Sequence, residues 1–273
     1  MNRLPLAFLG ASSTIFFVAS ALYVAYLRRR RPETAFWAHA AAVSGWLTLS
    51  LGGLVRLALL GRLPFGSFSD SLMLLLWALV AGFLWLEHRF ALRAAGALII
   101  PVIAVGSAYI FWRPAGGGEL LPILTSPWVV AHAACIFAGY CAFTLAAVAG
   151  ALYLLLEKEL KEKRLFSLHF TLPSLDTLER LVSKLILWGF PFLTVGLASG
   201  AVWSRRVWGT YVPFDAKMIV ALVTWFIYAA ELIYTRALGG RGRRVAIASL
   251  IGLAAVALNY LALGVLVDTV HRF

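Results

Sequence analysis

Charge is scarce in this chain. Only 13% of its residues are Asp, Glu, Lys or Arg, against about a quarter in a soluble domain. Acidic residues are the scarcer kind, 12 against 24 basic ones, which leaves a formal charge of +12. Cysteine is nearly absent, with Cys135 and Cys141 the only two. Six residues apart on one helix, they are rotated by about 240° from each other. That makes a disulfide between them a poor prospect, and without a CxxC spacing there is no thiol-exchange centre. They read as small packing residues. The sequence also contains no GxGxxG, no GxxxxGK[ST], no HExxH and no plausible hydrolase triad, which removes the dinucleotide, P-loop and zincin chemistries those motifs carry.

Apolar surface is what the chain has in quantity. Hydrophobic residues make up 62% of it and the mean hydropathy is +0.88. In water so much apolar surface would leave patches that aggregate, so lipid is the simplest solvent. The ten Trp suit anchoring at a membrane interface. The expected fold class is therefore all-α, a polytopic integral membrane helical bundle of about eight transmembrane helices. Spans of roughly 20 apolar residues fall at about Leu4–Leu27, Thr34–Leu60, Asp70–Glu87, Ala94–Trp112, Trp128–Leu156, Val182–Trp203, Ala216–Tyr234 and Val245–Asp268. The first is expected to be a retained helix, because Arg28 to Arg31 follow the apolar run and only Arg3 precedes it, the reverse of a cleaved signal.

Alternation of the spans assigns the sides. With the N-terminus outside, the inner segments are Arg28–Arg31, His88–Arg93, Glu157–Lys184 and Arg236–Arg244, which together hold 16 of the 24 Lys and Arg. The excess of positive charge inside supports this orientation, so both termini are expected outside, in the cell inner (cytoplasmic) membrane. The basic residues sit in short loops and meet lipid headgroups; no nucleic acid is implied. We expect one domain over residues 1–273, with a cytoplasmic loop at 157–182 and an outer tryptophan-rich loop at 203–215. In the inner loop, Glu157 to Arg164 extends the fifth helix beyond the bilayer. Leu175, Leu178 and Leu181 recur on one face of a short amphipathic helix, which would lie on the membrane surface.

Polar groups within a bilayer are rare, so their placement is informative. Three features converge on the outer side: His132, in the first turns of the fifth span after Ser126-Pro127-Trp128; His271, just beyond the eighth; and the loop from Trp203 to Asp215. Neutral histidine is the commonest metal ligand, and two imidazoles can hold a porphyrin iron from opposite faces. Trp and Tyr pack a flat apolar macrocycle, and arginines pair with propionates through forked hydrogen bonds; Arg56, Arg62, Arg205 and Arg206 are all expected on or near that side. Each element also has an ordinary reading, as an interfacial histidine, an aromatic belt or a lipid-touching arginine. His39 reads as a packed, hydrogen-bonded histidine, with an inner ligand or proton site as the alternative. Glu231 is expected to pair with Arg236. His88 and His169 belong to solvated inner segments.

The segment beginning Gly200-Ala201-Val202-Trp203 and running through Trp208-Gly209, Asp215, Lys217 and Thr224-Trp225 to Tyr228 resembles the tryptophan-rich "WWD" segment of the cytochrome c assembly superfamily. That family includes the CcsA/ResC-type synthases and the HemX-type membrane proteins. Leu63-Pro64-Phe65, Ser69-Asp70-Ser71-Leu72, Ser126-Pro127-Trp128 with His132, Leu172-Pro173-Ser174-Leu175, Gly242-Arg243-Arg244 and His271 extend the resemblance over most of the chain. It implies that His132 and His271 are two external ligands of heme b (iron protoporphyrin IX). It implies further that Trp128, Trp203, Arg205, Arg206, Trp208, Gly209, Tyr211, Phe214 and Asp215 hold the heme at the outer face. The implied partners are apocytochrome c or a cytochrome c assembly protein, and the implied role is that of a carrier. The family pattern WGxxWxWDPK is altered here, with Val212 and Phe214 at the two later Trp positions and Ala216 in place of Pro. Ile233 stands about where the synthases carry an intramembrane histidine. Loss of that inner ligand, together with the chain length and the Leu172-Pro173-Ser174-Leu175 segment, makes the chain resemble the HemX branch more than a full synthase. That implies instead a regulator acting through its cytoplasmic loops on a tetrapyrrole-synthesis enzyme, at the level of glutamyl-tRNA reductase. A heme-independent small-molecule transporter is a third reading.

The charge asymmetry predicts that tags fused to either terminus are accessible from outside intact spheroplasts. A C-terminal tag protected from external protease would reverse the topology and move His271 to the other face.

Overall fold

The computed structural model describes residues 3–61, 67–113, 126–162, 172–211 and 216–262. All regular structure among them is helical: α1 Arg3–Arg29, α2 Pro32–Leu60, α3 Phe68–Phe90, α4 Gly96–Trp112, α5 Pro127–Lys161, α6 Leu175–Trp208, α7 Ala216–Arg236 and α8 Arg243–Ala257. A 3-10 turn, Arg93–Ala95, leads into α4, and a π-helical turn, Leu258–Ala262, follows α8. Each of the eight is long and apolar enough to cross a membrane, because only helices or closed barrels satisfy every backbone group in hydrocarbon.

Local chemistry explains the breaks. Pro32 opens α2 at a position where its missing N–H is no loss, and α2 closes on Gly61, whose φ of 63° is the left-handed region. Ser67 caps α3 by accepting from the Asp70 N–H at 3.1 Å, and Asp70 lies in the first turn, where the helix dipole favours a negative charge. The extension of α5 to Lys161 follows the expectation, with Lys161 donating to Glu157 at 2.7 Å one turn back. The surface helix expected near Leu175 is a different matter. Leu175 to Leu181 form the first turns of one continuous α6, 34 residues long, and Leu178 and Leu181 are buried in protein. Nothing between Leu181 and Val182 interrupts helical hydrogen bonding, so the amphipathic stretch and the sixth span fuse. The start of the outer loop is likewise helical, since α6 continues through Trp208 before Gly209 turns at φ 75°.

The chain divides into two compact units, Met1–Glu119 with Leu156–Ser174, and Leu120–Leu155 with Leu175–Phe273. In the first, α1 packs along α2 and α4, and α3 packs on α4 and α2. Its core includes Phe16, Tyr23, Leu49, Phe83, Ile99 and Ile103. Lipid supplies no hydrophobic drive between helices, so close approach through small residues and van der Waals contact must hold them. Gly45 shows the device: a Cβ there would lie 2.7 Å from the Phe16 ring. The α2–α3 seam is tied at three heights. Arg56 pairs with Asp70 at 2.8 Å. Trp46 stacks on Trp77 with centroids 5.4 Å apart, and His39 meets Glu87. In the second unit, α7 packs on α8 and α6, and Gly139 of α5 lies against the α6 backbone, where a Cβ would be 3.2 Å from the Leu193 nitrogen.

The Arg56 and Asp70 side chains are only 14% and 7% exposed. Removing one charge leaves the other buried, a loss of about 3–5 kcal/mol, whereas replacing both with apolar groups is near neutral. Asp70→Ala is therefore expected to lower stability in detergent by about that amount, and Arg56→Met with Asp70→Leu to restore most of it. Equal losses in the single and double variants, measured by denaturant titration, would show that the pair does not stabilise the seam.

Candidate functional site

His132 lies in the second turn of α5. That helix starts where Ser126 accepts from the Val129 N–H at 3.0 Å and Pro127 takes the first helical position. The imidazole is half-buried and reaches α6, where its Nδ1 lies 2.7 Å from the Gly196 carbonyl oxygen. A carbonyl can only accept, so this contact assigns a proton to Nδ1. In the neutral ring, Nε2 then carries the lone pair. A backbone carbonyl on one ring nitrogen is how proteins fix the tautomer and orientation of a ligating histidine. Ser199 adds a second polar neighbour, its Oγ donating to the Gly196 oxygen at 2.8 Å and lying 3.4 Å from Nδ1. Gly200 makes room, for a Cβ there would sit 2.7 Å from the imidazole Cε1.

The aromatic and basic residues named from the sequence gather at the same end of α6. Trp128 donates its indole N–H to the Ser199 carbonyl at 2.9 Å, so Trp128 and His132 grip neighbouring carbonyls of one α6 turn. Arg206 lies over the Trp128 ring at 5.8 Å and Arg205 over the Tyr211 ring at 4.5 Å. Such cation–π contacts hold the guanidinium planes while leaving N–H groups to turn outward. Ser204, 4% exposed, donates to the Thr210 carbonyl at 2.7 Å and folds the chain back after Gly209. Trp203 is half-buried and Tyr211 is exposed. His271, Phe214 and Asp215 lie outside the described residues, as does the side chain of Trp208. Arg56, expected near this set, is engaged by Asp70 in the first unit, and Arg62 lies outside the described residues.

A second polar cluster occupies the first unit. His39 Nδ1 lies 2.8 Å from Glu87 Oε2, and the buried Tyr23 hydroxyl donates to that same oxygen at 2.8 Å. The Glu87 side chain is 4% exposed and that of His39 45%. The expected hydrogen bond of His39 is thus present, although its ring is not buried; its partner is Glu87, which Tyr23 also holds. The sequence reading passed over Glu87 and Tyr23, although a signal was available: Glu87 is an acid inside the boundary of an apolar span. Glu231 corrects an expectation. It forms no ion pair with Arg236; it is 3% exposed, and neither carboxyl oxygen has a hydrogen-bond partner among the described residues. A helix offset of five residues carries Arg236 about 140° around the axis from Glu231.

The architecture and its apolar spans define a helical, multi-pass membrane protein. The sequence pattern of the family described as "Cytochrome C assembly protein" matches residues 65–271, and the chain belongs to that family. Among its relatives, the cytochrome c biogenesis protein CcsA of Guillardia theta is 30% identical over 232 residues, covering 78% of this chain and 77% of the relative. The CcsA of Parasynechococcus marenigrum is 29% identical over 238 residues, covering 78% of each. The fold matches that of a solved structure titled "Cytochrome c Heme Lyase CcmF", with a TM-score of 0.69 at 14% identity, over 94% of this chain and 46% of that one.

Glu87 accepts from two donors in a buried place. Glu87→Leu is expected to orphan both and lower stability by about 1–3 kcal/mol, with Tyr23→Phe costing less because it leaves the His39 bond intact. Unchanged thermal midpoints in both variants would show that the cluster does not hold α1, α2 and α3 together.

Proposed function

We propose that this chain holds heme b at the extracytoplasmic face of the inner membrane and serves as a carrier in cytochrome c assembly. The observation that carries the reading is the His132 Nδ1 contact with the Gly196 carbonyl, which leaves Nε2 as the nitrogen suited to ligate. The residues present fit the group. His132 supplies an oriented imidazole, Gly200 the space beside it, Trp128 and Tyr211 apolar faces, and Arg205 and Arg206 charge for propionates. In this reading His271 would supply a second imidazole, as the family resemblance implies. Bound heme would be the cargo, its iron porphyrin supplying the redox-active metal, and His132 with His271 would hold it. The protein's part is to fix one ligand's tautomer, shield the ring edges and neutralise the propionates. The names of the relatives support delivery to apocytochrome c or to an assembly partner.

A regulatory reading of the HemX kind has an observation of its own. Ile233, about where the synthases carry an inner histidine, is 59% exposed, and Val212 and Phe214 replace two tryptophans of the outer segment. A chain so altered could report heme status to a cytoplasmic tetrapyrrole-synthesis enzyme, and co-purification of that enzyme with the full chain would favour this reading over delivery.

The absorbance spectrum of the detergent-purified protein tests the heme site. His132→Ala and His271→Ala are each expected to weaken binding and to shift the low-spin spectrum, with partial rescue by added imidazole. His88→Ala is expected to behave like the parent. Parent-like spectra in both outer variants would overturn the assignment.

A further inference from the structure

Glu231 plays no part in the His132 cluster, yet it is a buried acid. It is 3% exposed, in the C-terminal half of α7, and both its carboxyl oxygens lack a hydrogen-bond partner among the described residues. One turn earlier, Tyr228 is fully buried, its ring stacked on Phe143 with centroids 3.6 Å apart. The Tyr228 hydroxyl is also without a partner among the described residues. Gly252 of α8 gives this phenol its place, since a Cβ there would come within 2.6 Å of the hydroxyl oxygen. Residues three apart on a helix are neighbours on its surface, so two unsatisfied groups share one buried face.

The other hydroxyls nearby are already engaged. Thr224 donates to the Val220 carbonyl, Thr235 to the Glu231 and Leu232 carbonyls, and Ser249 to the Ala246 carbonyl. Among the described residues the helices of this unit also carry Tyr140, Cys141 and Tyr153 on α5, Glu179 and Lys184 on α6, Tyr234 and Arg236 on α7, and Arg243 and Arg244 on α8, with Tyr260 just beyond it. Glu179 accepts from the Gly242 N–H at 2.9 Å. No cation among them forms an ion pair with Glu231.

A carboxylate without donors or a counter-ion is the least tolerable state for such a group away from water; it takes up a proton instead. The neutral acid needs only an acceptor for its O–H, and the Tyr228 oxygen is an unused one. We propose that Glu231 is an intramembrane proton-binding site, occupied as the carboxylic acid, with the Tyr228 hydroxyl, unpartnered among the described residues, as its polar neighbour one turn earlier on α7. The sequence supports no such assignment, because a glutamate near the inner end of a span reads as an interfacial acid seeking a nearby arginine.

Dicyclohexylcarbodiimide tests this on the full-length protein in detergent. A protonated carboxyl gives its proton to one reagent nitrogen while its oxygen adds to the central carbon. Acyl migration then yields an N-acylurea, with nothing lost and nothing oxidised. Peptide mapping is expected to find the whole-reagent adduct on Glu231 at neutral pH, with the exposed Asp176 and Glu162 unlabelled. Infrared spectra of the same unlabelled protein are expected to contain a protonated-carboxyl stretch that shifts in heavy water. Glu231→Gln, an isostere of the neutral acid, is expected to retain the parent's melting midpoint and to lose that band. Tyr228→Phe is expected to keep the adduct and shift the band. Absence of both adduct and band from the parent protein would overturn the proposal without reliance on any variant. Protection of Glu231 by sodium at fixed pH would assign the site to an alkali cation and overturn it equally.

Discussion

Inside hydrocarbon a backbone N–H or C=O without a partner costs several kcal/mol, and water is not there to supply one. Every regular element described here answers that constraint in the same way, by closing its hydrogen bonds within a helix. Side-chain hydroxyls obey it too, as Ser44, Thr48, Thr144 and Thr194 each donate to the carbonyl four residues back. Once the backbone and the hydroxyls are spoken for, few polar atoms remain with bonding capacity to spare. Those few are where the chain's chemistry must reside.

Packing follows from the same solvent. Between helices there is no hydrophobic force to gain, so contact depends on how near two backbones or a ring and a backbone can come. Glycines placed opposite aromatic rings supply that nearness: Gly45 beneath Phe16, Gly252 beneath Tyr228, Gly189 beneath Phe143. The same arrangement at Gly200 seats an imidazole in place of a benzene ring. His132 is thus positioned by the same packing device, and the adjoining Gly196 carbonyl turns a packed ring into an oriented one.

The sequence made the helices and their order legible because apolar runs of membrane length are a strong signal, and it made His132 legible because imidazole is rare in such runs. Boundaries were less so. Leu172 to Leu181 carries an amphipathic pattern that a surface helix and the buried first turns of α6 would share, and only packing distinguishes them. Trp203 to Trp208 was grouped with the loop on composition, although helical hydrogen bonding continues until Gly209. The Glu87 cluster was missed since its members stand far apart in sequence, at 23, 39 and 87. Glu231 was misread because charge proximity along a chain says nothing of which way a helix faces.

His39 and His132 show how far the environment, and not the residue type, sets a histidine's task. Each gives Nδ1 to an oxygen, one to a buried carboxylate and one to a backbone carbonyl. The Glu87 carboxylate ties His39 to α3, and that contact serves the α2–α3 seam. The Gly196 carbonyl can only accept, so it fixes the orientation of the His132 ring and, in the neutral form, puts the lone pair on Nε2. A metal requires that neutral form. The Trp128 indole meets the same α6 turn as the His132 imidazole, and Arg206 lies over that indole from further along the helix.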